Sequence, residues 1–251
     1  MTLHIVILAA GQGTRMRSKT PKVLHNLAHK PLLQWVIDAA AQLNPEAVHI
    51  VVGQHRTCIE EAIHHPLVHW VEQKEALGTG HAVLQAMQFI PKDAQVLILC
   101  ADVPLISIDL LRQLLQLASS KHHTETLNLL TAIMTNPHGL GRIIRNDQGV
   151  IKAIVEEKDA DAQQKAVNEI YSGIAVASAS ALHRWLPKLS PKNAQGEYYL
   201  TEIIAMAVEE NLAVDSICTQ DEYSIAGVNN RAQLQILERH WQRQQAQQLM
   251  L

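Results

Sequence analysis

The chain has 251 residues, of which 47% are apolar and 18% charged, and a formal net charge of −3. That is material for one large α/β domain or two small ones with a sizeable core. The slightly negative balance excludes a global attraction to nucleic acid or to an anionic membrane surface, so neither is expected as a partner. Cys58, Cys100 and Cys218 are far apart and form no C-x-x-C, the pattern of reduced thiols in a cytoplasmic protein. No apolar run reaches about 18 residues and the N-terminus lacks a basic flank with a cleavage site, so no signal peptide or membrane span is expected. Phe89 is the only phenylalanine, which leaves the core to aliphatic residues.

In chain order, the run His4–Leu8 predicts a strand buried on both faces. The small residues Ala9, Ala10, Gly11 and Gly13 follow, letting a ligand approach the backbone and leaving N–H groups free to face it. Arg15 and Lys22 add two cations, so the stretch reads as a polyphosphate loop. It is not a dinucleotide fingerprint, because Met16 stands where the third glycine belongs, and the chain has no Walker loop. Next come a helix over Pro31–Leu43, a strand at Ala47–Val52, a helix at Thr57–His64 and a strand at Val68–Val71. A helix at Gly78–Phe89, a strand at Gln95–Ala101 and a helix at Ser107–Ala118 complete a half that alternates as parallel βαβ units do.

The second half changes character. Leu127–Ile133 predicts a strand, Asn136–Gly141 a turn-rich break, and Arg142–Arg145 with Val150–Glu156 a hairpin about Asn146–Gly149. Strands follow at Glu169–Val176 and Ala213–Ile217, with helices near Ser180–Leu186 and Thr201–Glu209. Leu234, Leu237, Trp241 and Leu249 form an apolar stripe over Arg231–Leu251, which reads as one amphipathic helix. The expected organisation is a domain over residues 1–228 and a linker-type helix over 229–251.

Asp102 directly follows a buried strand, where ligands of open α/β sheets gather. A carboxylate there either caps a turn or meets a cation, and Mg²⁺ needs only one or two protein oxygens beside phosphate and water. Asn229 and Asn230 precede the last helix, so each is a cap or an oxygen ligand. Gln73 offers both a donor and an acceptor, and Gly78-Thr79-Gly80 opens a helix with free N–H groups, although a surface glutamine and a tight turn would look the same. Glu156 alone reads as a solvated strand-end acid. His25 and His29 have zinc-like spacing without a placed third ligand, and the pairs His64–His65 and His122–His123 read as solvated.

The block LAAGQGTRM followed by PKVLH resembles the signature of the sugar-nucleotide pyrophosphorylases, and nearly the whole chain resembles the uridylyltransferase half of the bacterial bifunctional N-acetylglucosamine-1-phosphate uridylyltransferases. GLGRI, IVEEKDA and NAQGEYYLTE extend the resemblance. It implies a Rossmann-like α/β fold of the nucleotide-diphospho-sugar transferase type, with a mixed, mostly parallel sheet and helices on both faces. It implies Arg15 and Lys22 as catalytic cations, and Leu8, Ala9, Ala10, Gly11, Gly13, Gln73, Gly78 and Thr79 on the nucleotide. Cys100, Ala101, Gly141, Glu156, Tyr171, Tyr199 and Thr201 would line the sugar, and Asp102 with Asn229 would hold Mg²⁺. The chain departs from the family at Tyr171, where an asparagine is usual, at Ala101, where a glycine is usual, and at Glu202, where an aspartate is usual.

The implied reaction joins UTP and N-acetylglucosamine-1-phosphate into UDP-N-acetylglucosamine and pyrophosphate. A different hexose-1-phosphate, or sugar-nucleotide binding without turnover, is the alternative. The family's hexapeptide β-helix does not occur in this sequence, so the expectation is no acetyltransferase activity and a monomer or weak oligomer rather than a β-helix-driven trimer.

Overall fold

The computed structural model describes residues 1–119 and 125–250; His122, His123 and Leu251 lie outside that set. Leu3–Leu8 (β1) carries Ile5, Val6 and Ile7 without exposed surface, which explains why its sequence shows no polar alternation. The chain continues through a small hairpin of Asn26–Leu27 (β2) and Lys30–Pro31 (β3), then Leu32–Ala41 (α1), Ala47–Val52 (β4), Arg56–Ala62 (α2) and Val68–Glu72 (β5). Thr79–Met87 (α3), Gln95–Cys100 (β6) and Ile108–Ser119 (α4) complete the first half. The second half holds Leu127–Ile133 (β7), Arg142–Arg145 (β8), Ile151–Val155 (β9), Ala162–Lys165 (α5) and Glu169–Ser178 (β10). Ala179–Trp185 (α6), Ile203–Glu209 (α7), Val214–Thr219 (β11) and Arg231–Leu249 (α8) close the chain.

The main sheet has the order β11-β7-β10-β6-β1-β4-β5, and β8 extends from β10 with β9 paired to it. Pairs β4–β1, β1–β6, β4–β5 and β7–β11 are parallel, while β10 runs antiparallel between β6 and β7. The expected mixed, mostly parallel sheet is therefore present. Its two faces are covered separately: Val6 and Val51 pack with α3, α6 and α7, and Ile5, Ile7 and Ile50 with α1, α2 and α4. Alternate residues of one strand thus feed opposite layers.

Two features differ from the sequence expectation. The β2–β3 hairpin turns through Ala28 and His29, both at positive φ, instead of the Asn-Gly that announces such a turn, and the helix expected from Pro31 begins at Leu32. The short helix α5 has no counterpart in the sequence expectation, although Asp161-x-x-Gln164 spells its capping box: Asp161 accepts from the Gln164 N–H and the Gln164 side chain accepts from the Asp161 N–H. No helix among the described residues is long and apolar enough to cross a membrane.

At the opposite end of the sheet from the strand carboxyl termini, His4 Nδ1 lies 3.1 Å from His49 Nε2, with the rings stacked and both residues buried. A second proton on this pair would set two N–H groups against each other. Loss of hydration, then the neighbouring His4 and His69, push the His49 pKa down to about 4. The unfolded chain takes up this proton near pH 6.5, so the pair's contribution is complete above that pH and is lost as pH falls toward 4. The expected loss is about 3 kcal/mol, at ~1.36 kcal/mol per pKa unit. Urea unfolding between pH 7 and pH 4 checks it: the slope should shrink in His49→Gln.

Candidate active site

The carboxyl ends of β1, β4, β5 and β6 form one edge. Ala9 N–H donates to the Val51 carbonyl, Ala101 N–H to that of Leu8 and Gln73 N–H to that of Val52, so these strand ends are tied to each other. Ligands collect at such an edge in open α/β sheets because the loops leave polar backbone uncovered there. Ala9 and Ala101 are buried, whereas Gly11 is exposed beyond the strand end and an added Cβ there would meet nothing.

The loop then folds under its own cations. Gly13 adopts a left-handed φ of 62°, and a Cβ on it would come 2.6 Å from Lys22 Cβ, so this glycine lets Lys22 cross the loop closely. Met16 is the loop's anchor, buried with Leu27, Leu32, Val228 and Leu237. With Met16 inside, the adjacent Arg15 points to the exposed side. Its Nη2 donates to Asn229 Oδ1 at 2.9 Å.

Lys22 Nζ donates to Asp102 Oδ2 at 2.5 Å and to the same Asn229 oxygen at 3.2 Å. Four residues from three stretches of chain therefore meet: Arg15 and Lys22 of the loop, Asp102 after β6 and Asn229 before α8. Val228 N–H donates to the Asp102 carbonyl at 2.8 Å, which holds the third stretch against the second. Asn229 and Asn230 divide the two tasks open to them. Asn230 caps α8 by accepting from Gln233 N–H, and Asn229 turns to the cations.

The donor chemistry at this cluster fits a hard divalent cation. The Asp102 carboxylate and the Asn229 amide oxygen converge on one cationic atom, Lys22 Nζ, which is the arrangement two protein oxygens need to share a small metal ion. No cluster of three or more His, Cys, Asp or Glu suited to a metal occurs among the described residues, so any ion here would depend on ligand oxygens for the rest of its shell.

The base-side candidates are built differently from a surface glutamine and a plain turn. Gln73 is only 3% exposed, and its Nε2 donates to the Gly78 carbonyl at 3.1 Å. Gly78 has φ 115°, and a Cβ would lie 2.7 Å from the Tyr198 carbonyl oxygen, so the turn requires glycine on two counts. Gly80 N–H donates to Tyr198 O, Tyr198 N–H to Leu77 O, and Leu200 N–H to Thr79 Oγ1 at 3.1 Å. Much of NAQGEYYLTE is thereby occupied in clamping the Gly78–Gly80 turn.

The remaining candidates form a second group. Thr201 Oγ1 donates to Glu156 Oε1 at 3.2 Å, and Gly141 lies close enough that a Cβ would meet both carboxylate oxygens near 3.5 Å. Burial pushes the Glu156 pKa up despite that hydroxyl, with Asp159 and Glu197 adding to the rise. Glu156 is thus a half-buried acid with few donors rather than a solvated one. Tyr171 N–H donates to the Gly141 carbonyl, and burial, then Cys100 and Glu156, raise its phenol well above the usual range. The Cys100 thiol donates to the Gly173 carbonyl and is pushed up to about 12, chiefly by burial and then by Asp102. Cys100 therefore stands between the cation cluster and the Tyr171–Glu156 group. Tyr199 is buried, with its hydroxyl accepting from Gln195 Nε2.

Two residues that the sequence reading passes over take part. Gln233 Oε1 accepts from Asn229 N–H at 2.8 Å, fixing the backbone of the residue that faces the cations. His81 contacts Gln73. A different depression, lined by Met134, Asn168, Asp221 and Tyr223 among others, lies beyond β7 and shares none of these residues.

A strand-edge loop with convergent cations and a carboxylate, on a sheet of this topology, is the equipment of a nucleotide-handling transferase. The chain belongs to the MobA-like NTP transferase domain family, whose match covers residues 5–131. It is 55% identical over all 251 residues to the bifunctional protein GlmU of Legionella pneumophila (strain Lens), and 51% identical over 248 residues, 99% of the chain, to that of Marinobacter nauticus (strain ATCC 700491 / DSM 11845 / VT8). In both cases the chain spans 54% of the relative's length. A solved UDP-glucose pyrophosphorylase complexed with UDP-glucose superposes with a TM-score of 0.78 at 19% identity, over 97% of this chain and 100% of that one, a likeness of fold.

Proposed function

We propose that the protein is a UTP:N-acetylglucosamine-1-phosphate uridylyltransferase. The observation that carries this reading is the meeting of Arg15, Lys22, Asp102 and Asn229 at the strand edge. The full-length identity to proteins named GlmU supports it.

The acceptor needs no protein base. A sugar phosphate has its second pKa near ~6 and is largely dianionic at neutral pH. One of its oxygens attacks the α-phosphorus of UTP in line; the new O–P bond forms as the bond to the bridging α,β-oxygen breaks, and that electron pair leaves on pyrophosphate. Arg15 and Lys22 bind the triphosphate and stabilise charge on the departing group, which is positioning and electrostatics rather than covalent catalysis. Asp102 and Asn229 would hold Mg²⁺, which supplies charge neutralisation on phosphate oxygens when bound. Leu8 to Gly11, Gly13, Gln73, Gly78 and Thr79 face the nucleotide, and Cys100, Ala101, Gly141, Glu156, Tyr171, Tyr199 and Thr201 face the sugar. The half-buried Glu156 supports the latter assignment, because a carboxylate with few donors gains from a sugar hydroxyl.

In this reading residues 1–228 form the uridylyltransferase domain and 229–251 a linker-type helix, whose first residue, Asn229, reaches back into the site. The edge-on contact of Trp241 with Trp35, 6.1 Å between ring centres, supports packing of that helix on the unit it follows. A cytoplasmic site of action suits substrates of this kind. The test crosses UTP, CTP, ATP and dTTP with N-acetylglucosamine-1-phosphate, glucose-1-phosphate and glucosamine-1-phosphate, scoring pyrophosphate. The pair UTP and N-acetylglucosamine-1-phosphate is expected to lead. Preference for another sugar phosphate would overturn the substrate, and no turnover with any pair would overturn the enzyme.

A further inference from the structure

His81 sits in the first turn of α3, beside the buried amide of Gln73. Gln73 Nε2 lies 3.1 Å from the Gly78 carbonyl oxygen and 2.9 Å from His81 Nδ1. A primary amide nitrogen carries two protons, and these two neighbours take both. The Gly78 oxygen can only accept, so it decides which end of the Gln73 amide points inward. His81 Nδ1 must then be the acceptor and Nε2 the protonated nitrogen. Nε2 lies 3.1 Å from the side-chain amide of Gln85, one turn further along α3, a terminal group free to turn its oxygen toward that proton.

The other end of Gln73 is different. Its Oε1 receives no hydrogen bond among the described residues, yet it is not among the sealed, unpartnered polar atoms of the interior. Gln73 therefore presents a bare acceptor and no donor at the surface of the site, on a residue otherwise 3% exposed.

We propose that His81 is a positioning residue that sharpens the base preference by adding a second hold to the one the Gly78 carbonyl gives the Gln73 amide, so that its oxygen stays outward. An outward oxygen accepts from a pyrimidine that carries a ring N–H at this edge, as uracil does. It opposes one that carries a ring lone pair there, as cytosine does. This inference rests on the reading of Gln73 as base-facing. Without an acceptor at Nδ1, only the Gly78 carbonyl still holds Nε2 inward, and the outward-oxygen orientation loses one of its two hydrogen bonds.

The experiment titrates UTP and CTP separately into the full chain and its variants, each checked for folding by thermal denaturation. His81→Phe keeps a ring against Tyr198, whose centre is 6.3 Å away, but removes the acceptor. It is expected to lower the ratio of UTP to CTP affinity about tenfold, the scale of one hydrogen bond. His81→Asn, whose Oδ1 can stand in for Nδ1, is expected to hold the ratio within about threefold of the parent. Should His81→Phe not fold, His81→Leu carries the same expectation. A parental ratio in the acceptor-less variant, with a collapsed ratio in Gln73→Leu, would overturn the role of His81 alone. A parental ratio in Gln73→Leu would overturn the base-facing reading beneath it.

Discussion

Arg15→Ala is expected to lower kcat about a hundredfold or more, the ~3 kcal/mol typical of one electrostatic contact to a transition state. The residue is exposed, and among the described residues its guanidinium hydrogen-bonds to Asn229 at 2.9 Å and joins no core contact, so it does little for the fold. Its place is held by what lies beneath: Met16 is buried with Leu32, Val228 and Leu237, and Gly13 starts the turn in a left-handed conformation. Thermal stability should accordingly stay within about 0.5 kcal/mol of the parent, the usual range for surface substitutions. Pyrophosphate release under saturating substrates, beside a melting curve, reads both. A kcat within a few-fold of the parent would remove Arg15 from the reacting phosphates.

Asp102→Asn keeps the shape of the side chain and removes its charge, and it should cost about a hundredfold or more in kcat. Lys22 Nζ, 2.5 Å away and with a side chain 13% exposed, would then face only neutral amide oxygens, those of the new asparagine and of Asn229. Two consequences separate this variant from Arg15→Ala. The Mg²⁺ concentration giving half-maximal rate should rise, since one of two converging oxygens has lost its charge. UTP should bind no more weakly than in the parent, because Lys22 is released from its carboxylate partner. Rates and binding measured across a Mg²⁺ series test this, and an unchanged metal dependence would place the ion elsewhere.

Much of the fold was legible because the buried strands are continuous aliphatic runs. Ala47–Val52 and Leu127–Ile133 have the bounds their sequences predict. The strand over residues 169–178 was legible as a strand, but its antiparallel insertion between β6 and β7 was not, since direction depends on the path of distant chain. The β2–β3 hairpin was hidden because Ala28 and His29 take up φ values that sequence normally assigns to glycine or asparagine, and α8 helps to hold them there through Glu238 on the Ala28 N–H.

At the site, the residue types named the chemistry and the structure supplied the company each keeps. Asn229 and Asn230 were interchangeable by residue type, and the direction of each side chain separates the one that faces Arg15 and Lys22 from the one that caps α8. Glu156 read as a solvated acid because nothing in IVEEKDA reveals that Thr201 and Gly141 close over it. His81 and Gln233 gave no signal because each acts on a neighbour's amide rather than through its own reactivity.

The position at which the nucleotide is cut separates uridylyl transfer from other phosphoryl chemistry most directly. With N-acetylglucosamine-1-phosphate and Mg²⁺, UTP labelled at the α-phosphorus should carry its label into the sugar nucleotide, and UTP labelled at the γ-phosphorus should release all of its label as pyrophosphate. Label from the γ-position on the sugar, or release of inorganic phosphate in place of pyrophosphate, would contradict uridylyl transfer at the Arg15–Lys22–Asp102–Asn229 cluster.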